Sequence, residues 1–262
     1  MTSIKVNHGD LFYTDNGEGN PILFIHGLGA DHTMFEPQVG TFSSSYRVIC
    51  PDIRGNGNSG KLTGPISTVL DRQCDDIAAL LDHLKIGKAV FCGISYGGVF
   101  CQHFVLRYPQ KVTGLAISDS FGDTKVKSLQ ESFLLASQYV SLWAYYVPYL
   151  LVPSVKWQYK KWPLAQKYMV KAFQNMRSRE VLLQRLAINR ADHTSQLGKA
   201  TCPALGMVGD YSKILIQYMH RMIGAIPNAR LEIIHNSFDP SNLCRQETYD
   251  KLVQGFLFDI GW

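Results

Sequence analysis

Four short apolar runs recur in the first 122 residues: Pro21–Ile25, Tyr46–Cys50, Lys88–Cys92 and Val112–Ser118. Runs this short and this nearly continuous in apolar residues read as strands buried on both faces. Between the second and third, Ile77, Leu80, Leu81 and Leu84 recur at helical spacing over the stretch Asp71 to Leu84. Strands alternating with helices predict an α/β fold: a mostly parallel sheet with helices on both faces. The β pattern disappears from about Asp123 to Ser195. It returns at Ala204–Val208 and Arg230–Ile234, before a last helix around Glu247 to Phe258. The chain is therefore expected to divide into a core of residues 1–122 and 196–262 and an inserted helical lid of residues 123–195.

Composition supports a globular class and excludes others. With 262 residues, 46% apolar and 18% charged, the chain can bury one large core, and it is not disordered, collagen-like or a disulfide scaffold. The net charge of +5 is concentrated in residues 123–195, where eleven basic residues face four acidic ones. The remainder is slightly acidic, so the charge gives no reason to expect nucleic acid. Six cysteines without C-x-x-C pairing, and an N-terminus without signal-peptide order, predict buried thiols in a cytoplasmic protein. Ser132 to Val155 carries no charge, but Gln138, its serines, Pro148 and Pro153 predict a helical lid rather than a membrane span.

The chemistry is expected at Gly93-Ile94-Ser95-Tyr96-Gly97-Gly98, where a strand ends and a helix through Cys101, Phe104 and Val105 begins. Small residues at Gly93 and Gly97 permit a sharp turn that lifts a serine hydroxyl above the sheet, facing the first helical amides. Upstream, His26-Gly27-Leu28-Gly29 follows the first run and Asp52-Ile53-Arg54-Gly55-Asn56-Gly57-Asn58-Ser59 the second. In this order and spacing the motifs resemble the α/β-hydrolase fold family over nearly the whole chain. The resemblance implies Ser95 as nucleophile and the amides of Leu28 and Tyr96 as an oxyanion hole. It also implies an acid after the strand ending at Val208 and a histidine after the strand ending at Ile234.

The last two expectations meet an unusual sequence. Asp210 is the only carboxylate after Val208 and is the first choice of acid, with Asp119, at the end of the Val112–Ser118 run, as the fallback. The position matching the family histidine is Asp239. An ordinary aspartate, with a pKa near 4, is a poor acceptor for a serine proton. Of the histidines, His26 belongs to the oxyanion turn, and His8, His32, His83 and His220 are expected to be uninvolved. His103 lies too far along the helix after Ser95, so the leading expectation is that no histidine substitutes, with His235 and His193 as the alternatives.

Eight aromatic residues between Tyr139 and Trp162 are expected to help roof the pocket, with Gly27, Trp143 and Tyr146 as substrate-binding candidates. The sequence carries no metal-ligand cluster, P-loop or dinucleotide fingerprint, so no metal or cofactor is expected. The leading expectation is a carboxylesterase-like serine hydrolase acting on a small hydrophobic ester or related acyl substrate, as monomer or homodimer and without stable membrane insertion. The alternatives are lyase or elimination chemistry in the same pocket, or a catalytically impaired protein that binds a small ligand.

Overall fold

The computed structural model describes residues 2–7, 9–126 and 129–262; His8 lies outside them. Eight strands form one sheet: β1 (Thr2–Val6), β2 (Gly9–Asn16), β3 (Pro21–Ile25), β4 (Arg47–Pro51), β5 (Ala89–Ile94), β6 (Val112–Ser118), β7 (Ala204–Gly209) and β8 (Ala229–Ile234). Their order is β1-β2-β4-β3-β5-β6-β7-β8. From β4 to β8 every pairing is parallel, while β1 and β2 add an antiparallel edge. All six apolar runs of the sequence are strands. The edge pair β1–β2 was not read from the sequence, because only Val6, Leu11 and Tyr13 of its thirteen residues are buried.

The helices are α1 (Glu36–Phe42), α2 (Val69–His83), α3 (Tyr96–Arg107), α4 (Leu129–Val140), α5 (Val152–Gln158), α6 (Pro163–Asn175), α7 (Ser178–Ile188), α8 (Lys213–Ile223), α9 (Ser241–Cys244) and α10 (Gln246–Asp259). Successive strand side chains point to opposite faces, so β3 divides its apolar residues between two cores. Leu23 and Ile25 join α2, α3 and α8 on one face. Ile22 and Phe24 join α1, α6 and α10 on the other. Both faces are covered, which is why the central strands are apolar without alternation.

Between β6 and β7 the described residues form only helices and 3-10 turns, apart from one isolated bridge, Asp123 to Asp192, that pinches the two ends of this excursion together. Among the described residues no helix is long and apolar enough to cross a membrane. The six cysteines are unpaired; five are buried and Cys202 is half-buried.

Candidate active site

The turn between β5 and α3 is held open by close backbone approaches. A Cβ on Gly97 would sit 2.0 Å from the Ile25 carbonyl oxygen, and one on Gly93 would sit 2.4 Å from that of Gly97, so neither position tolerates a side chain. Ser95 takes φ +53° and ψ −111°, a strained conformation for a residue with a Cβ. Its amide donates to Ser118 O at 2.9 Å and its carbonyl accepts from Ser120 Oγ at 2.8 Å, bonds that pin the turn to the end of β6. The half-buried hydroxyl is left at the carboxyl end of the sheet, where α/β ligands bind.

Gly27 lies against it, a Cβ there falling 3.8 Å from Ser95 Cβ. Residues 27–30 form a tight turn, closed by the Ala30 amide on Gly27 O at 3.2 Å with Gly29 at φ +71°. The turn's own bond therefore does not consume the Leu28 amide. The Tyr96 side chain is buried, its hydroxyl donating to Gln73 at 2.6 Å, which fixes the first residue of α3. His26 is fully buried with both nitrogens committed: Nδ1–H donates to Gly27 O (2.9 Å) and Nε2 accepts from the Ile53 amide (3.1 Å). Burial lowers its pKa, so it is a neutral structural histidine.

The carboxylate that meets Asp239 is Asp119. Asp119 sits at φ +51° just past β6, and its carboxylate accepts the Gly209 amide (3.0 Å), the Ser241 amide (2.7 Å) and Ser241 Oγ (2.9 Å). Asp239 is held by the loop between β8 and α9, where the Ser95 side chain favours its charged form. Burial, then the charge of Asp119, push the Asp239 pKa far above the carboxylate range; Ser95, then Arg185, pull it back. Burial also raises Asp119, but its three donors favour the ionised form. Two carboxyls this close do not both ionise readily, and the one with three donors keeps the charge while Asp239 holds the proton at neutral pH.

Asp210, the first choice of acid, is not part of this group. Its carboxylate faces His235 Nδ1 (3.3 Å) and accepts the Ser237 amide (3.2 Å), and His235 is 87% exposed. β7 passes straight into this surface turn, whereas the left-handed backbone at Asp119 turns its carboxylate into the gap between β7 and α9. His193 is also elsewhere. With tautomers that satisfy both bonds, His193 Nε2–H donates to His103 Nδ1 (2.9 Å) and His103 Nε2–H to Asp71 (2.7 Å). His103 is eight residues beyond Ser95, about 12 Å along α3. This chain borders a cavity of about 450 Å³ that opens there and not at Ser95. His32 is paired with Asp52, and His83 and His220 are exposed. Among the described residues, no imidazole serves Ser95.

Two further residues that the sequence listed only as roof aromatics hold the Asp239 loop. Tyr159 donates its hydroxyl to Asp239 O at 2.6 Å and Trp162 its indole N–H to Asn236 O at 3.0 Å, and both rings are buried. Trp143 and Tyr146, by contrast, are 62% and 63% exposed and face solvent rather than the nucleophile. Their three-residue separation in a 3-10 turn puts both on one side, and that side points outwards. Asp31, His32 and Asp52 bring ligand atoms within 4.8 Å of one another. Hydrogen bonds account for these carboxylates: Asp52 accepts from His32 N and Nδ1 and from Asn58 N, and Asp31 caps Thr33.

The family model described as the alpha/beta hydrolase fold matches residues 20–240. The chain belongs to that family. An enol-lactonase from Burkholderia xenovorans has the same fold, with a TM-score of 0.84 at 24% identity over 98% of this chain and all of the other. 3-Oxoadipate enol-lactonase 2 of Acinetobacter baylyi is 36% identical over 99 residues, 38% of this chain and 36% of its own length. A second enol-lactonase of that organism is matched over 31% of its length, so the match spans about a third of these two relatives. RutD of Azorhizobium caulinodans, whose name proposes carbamate hydrolysis, is 23% identical over 96% of both chains. The relatives are named as hydrolases, which supports a hydrolase.

Proposed function

We propose that this α/β-hydrolase-family chain cleaves small hydrophobic esters or lactones, with Ser95 as nucleophile, Asp239 as general base and Asp119 as the buried charge behind it. What supports the reading is that Asp119 and Ser95 both act on the Asp239 carboxyl, the first raising its pKa and the second lowering it. In a serine–histidine–aspartate triad the acid favours the protonated state of its neighbour. Asp119 exerts the same pull on Asp239. A carboxylate raised this far matches an imidazole in basicity, which removes the objection that an ordinary aspartate is too weak a base.

The steps follow from these roles. The ionised Asp239 accepts the Ser95 proton as Oγ attacks the acyl carbon, and the Leu28 and Tyr96 amides receive the developing oxyanion. The neutral Asp239 then gives its proton to the departing oxygen. Water repeats the sequence on the acyl-Ser95 ester and regenerates the free hydroxyl. Leu28 and Phe238, both half-buried, offer apolar neighbours for a hydrophobic acyl group. The names of the enol-lactonase relatives extend the substrate range from open esters to lactones.

Because the base must be ionised, turnover is expected to rise with pH through the raised pKa of Asp239 and level off above it. The measurement is kcat/KM for p-nitrophenyl acetate from pH 6 to pH 10, with Ser95→Ala as control. A profile flat over that range, or turnover unchanged in Ser95→Ala, removes this mechanism. The same proton on Asp239 at neutral pH favours a second reading, a pocket that binds small acyl compounds without turnover. It predicts a thermal shift with unreacted ester and no alkaline rise in rate.

A further inference from the structure

Helix α4 presents its apolar stripe to solvent. Leu129, Phe133 and Val140, at positions i, i+4 and i+11, lie on one face and are 89%, 77% and 74% exposed. The inward-facing Glu131 is instead buried, its carboxylate 2.7 Å from Arg221. The 3-10 turns that follow, Ser141–Tyr146 and Pro148–Leu151, add Trp143, Tyr146 and Tyr149, each more than 60% exposed. Trp157 on α5 is 72% exposed. Isolated surface apolar residues need no explanation, but these seven large apolar side chains, exposed within one segment from Leu129 to Trp157, mark a contact surface.

The charge around these side chains identifies what they contact. From Ser132 to Arg179 there is no Asp or Glu, while Lys156, Lys160, Lys161, Lys167, Lys171, Arg177 and Arg179 fall in that stretch. The first four are exposed, and Lys160 Nζ lies 5.6 Å from the Trp157 ring centre. A second copy of the chain would set this cationic segment against itself across a two-fold axis, at a repulsive cost. Trp and Tyr carry a polar tip on an apolar body, the pairing favoured where hydrocarbon meets water, and lysines reach from there to anionic groups. We propose that this apolar surface docks on an anionic lipid bilayer, with its aromatic and aliphatic side chains at the headgroup boundary and the lysines on the headgroups. Helix α4, at twelve residues, is too short to span the bilayer, so the contact is peripheral. The proposal does not depend on how Ser95 reacts.

Co-sedimentation of the full chain with phosphatidylcholine vesicles, with and without phosphatidylserine, tests it. Binding is expected only with phosphatidylserine, weakening as salt is raised. Phe133→Ser with Tyr149→Ser should abolish binding and leave the circular dichroism spectrum unchanged. Lys160→Glu with Lys161→Glu should lower partitioning by about twentyfold or more. Absence of binding to phosphatidylserine vesicles overturns the proposal, as does binding that neither pair weakens. A concentration-dependent dimer that both pairs dissolve, with no vesicle binding, overturns it in favour of self-association, and vesicle-independent capture by an acidic protein alone overturns it in favour of a protein partner.

Discussion

The molecule holds two groups of titratable side chains, each with one deeply buried member, and the contrast between them separates residue type from function. One runs Asp119–Asp239–Ser95 at the carboxyl end of the sheet; the other runs Asp71–His103–His193 along the side of α3. The second has the acid and the imidazoles of a hydrolase relay but is about 12 Å along α3 from the elbow serine. The first has the serine and no imidazole. Burial acts on both with opposite sign, because it penalises whichever form is charged. It raises the carboxyls of the first relay, and it lowers His193 to about 4. A group tuned upward into the neutral range beside a nucleophile is suited to proton transfer. A histidine tuned down to about 4, away from any nucleophile, is suited to staying neutral.

The largest expected difference is in activity. Asp239→Asn keeps the shape of the side chain and removes the base, so kcat/KM for a p-nitrophenyl ester at pH 9 should fall by roughly 10² to 10⁴. His193→Gln should leave it within about twofold. The comparison breaks if the two variants lose activity equally, because His193 would then be part of the machinery. Asp239→His sharpens it further: an imidazole beside Asp119 should retain turnover and move the rise in rate to lower pH, measurable in the same assay.

Stability against pH should show the two signs. Asp239 and Asp119 have folded pKa values above their unfolded ones, so their contribution is complete below about pH 4 and is lost as the pH rises through the raised values. His193 is lowered from 6.5 to about 4, so its contribution is complete above pH 6.5 and is lost as the pH falls toward 4. Over that window the histidine's share is roughly 3 kcal/mol. Urea unfolding at a series of pH values reads both. Asp239→Asn should gain on the wild type as pH rises from 4 to 8, and His193→Gln should lose less than the wild type between pH 6.5 and 4.

The same contrast shows what was legible in the sequence. The parallel core was legible because strands covered on both faces must be apolar throughout, and the elbow because Gly93 and Gly97 have no room for a Cβ. The edge pair β1–β2 was not, since three buried residues in thirteen leave little pattern. The buried setting of Asp119 was not, because the donors that hold its carboxylate come from Gly209 and Ser241, which are distant from Asp119 in the chain and meet it only once β6, β7 and α9 have packed. The aromatic density before Trp162 was visible, but not which rings turn inward: Tyr159 and Trp162 do, Trp143 and Tyr146 do not.

The smallest predicted effect concerns how the Asp239 loop is held. The Tyr159 hydroxyl donates to the backbone carbonyl of Asp239 and not to its carboxylate. Tyr159→Phe removes that bond while keeping the ring packed against Phe238, so the loss of stability should be about 1 kcal/mol. With the loop less firmly placed, kcat/KM should fall a few-fold. The pH at which the rate rises should stay where it is, since neither Asp119 nor the burial of the Asp239 carboxyl is altered. A pH–rate profile of Tyr159→Phe beside one of Asp119→Asn separates the two roles. Asp119→Asn removes the neighbouring charge and should move the rise to lower pH; a comparable movement in Tyr159→Phe would mean that the phenol acts on the carboxyl itself.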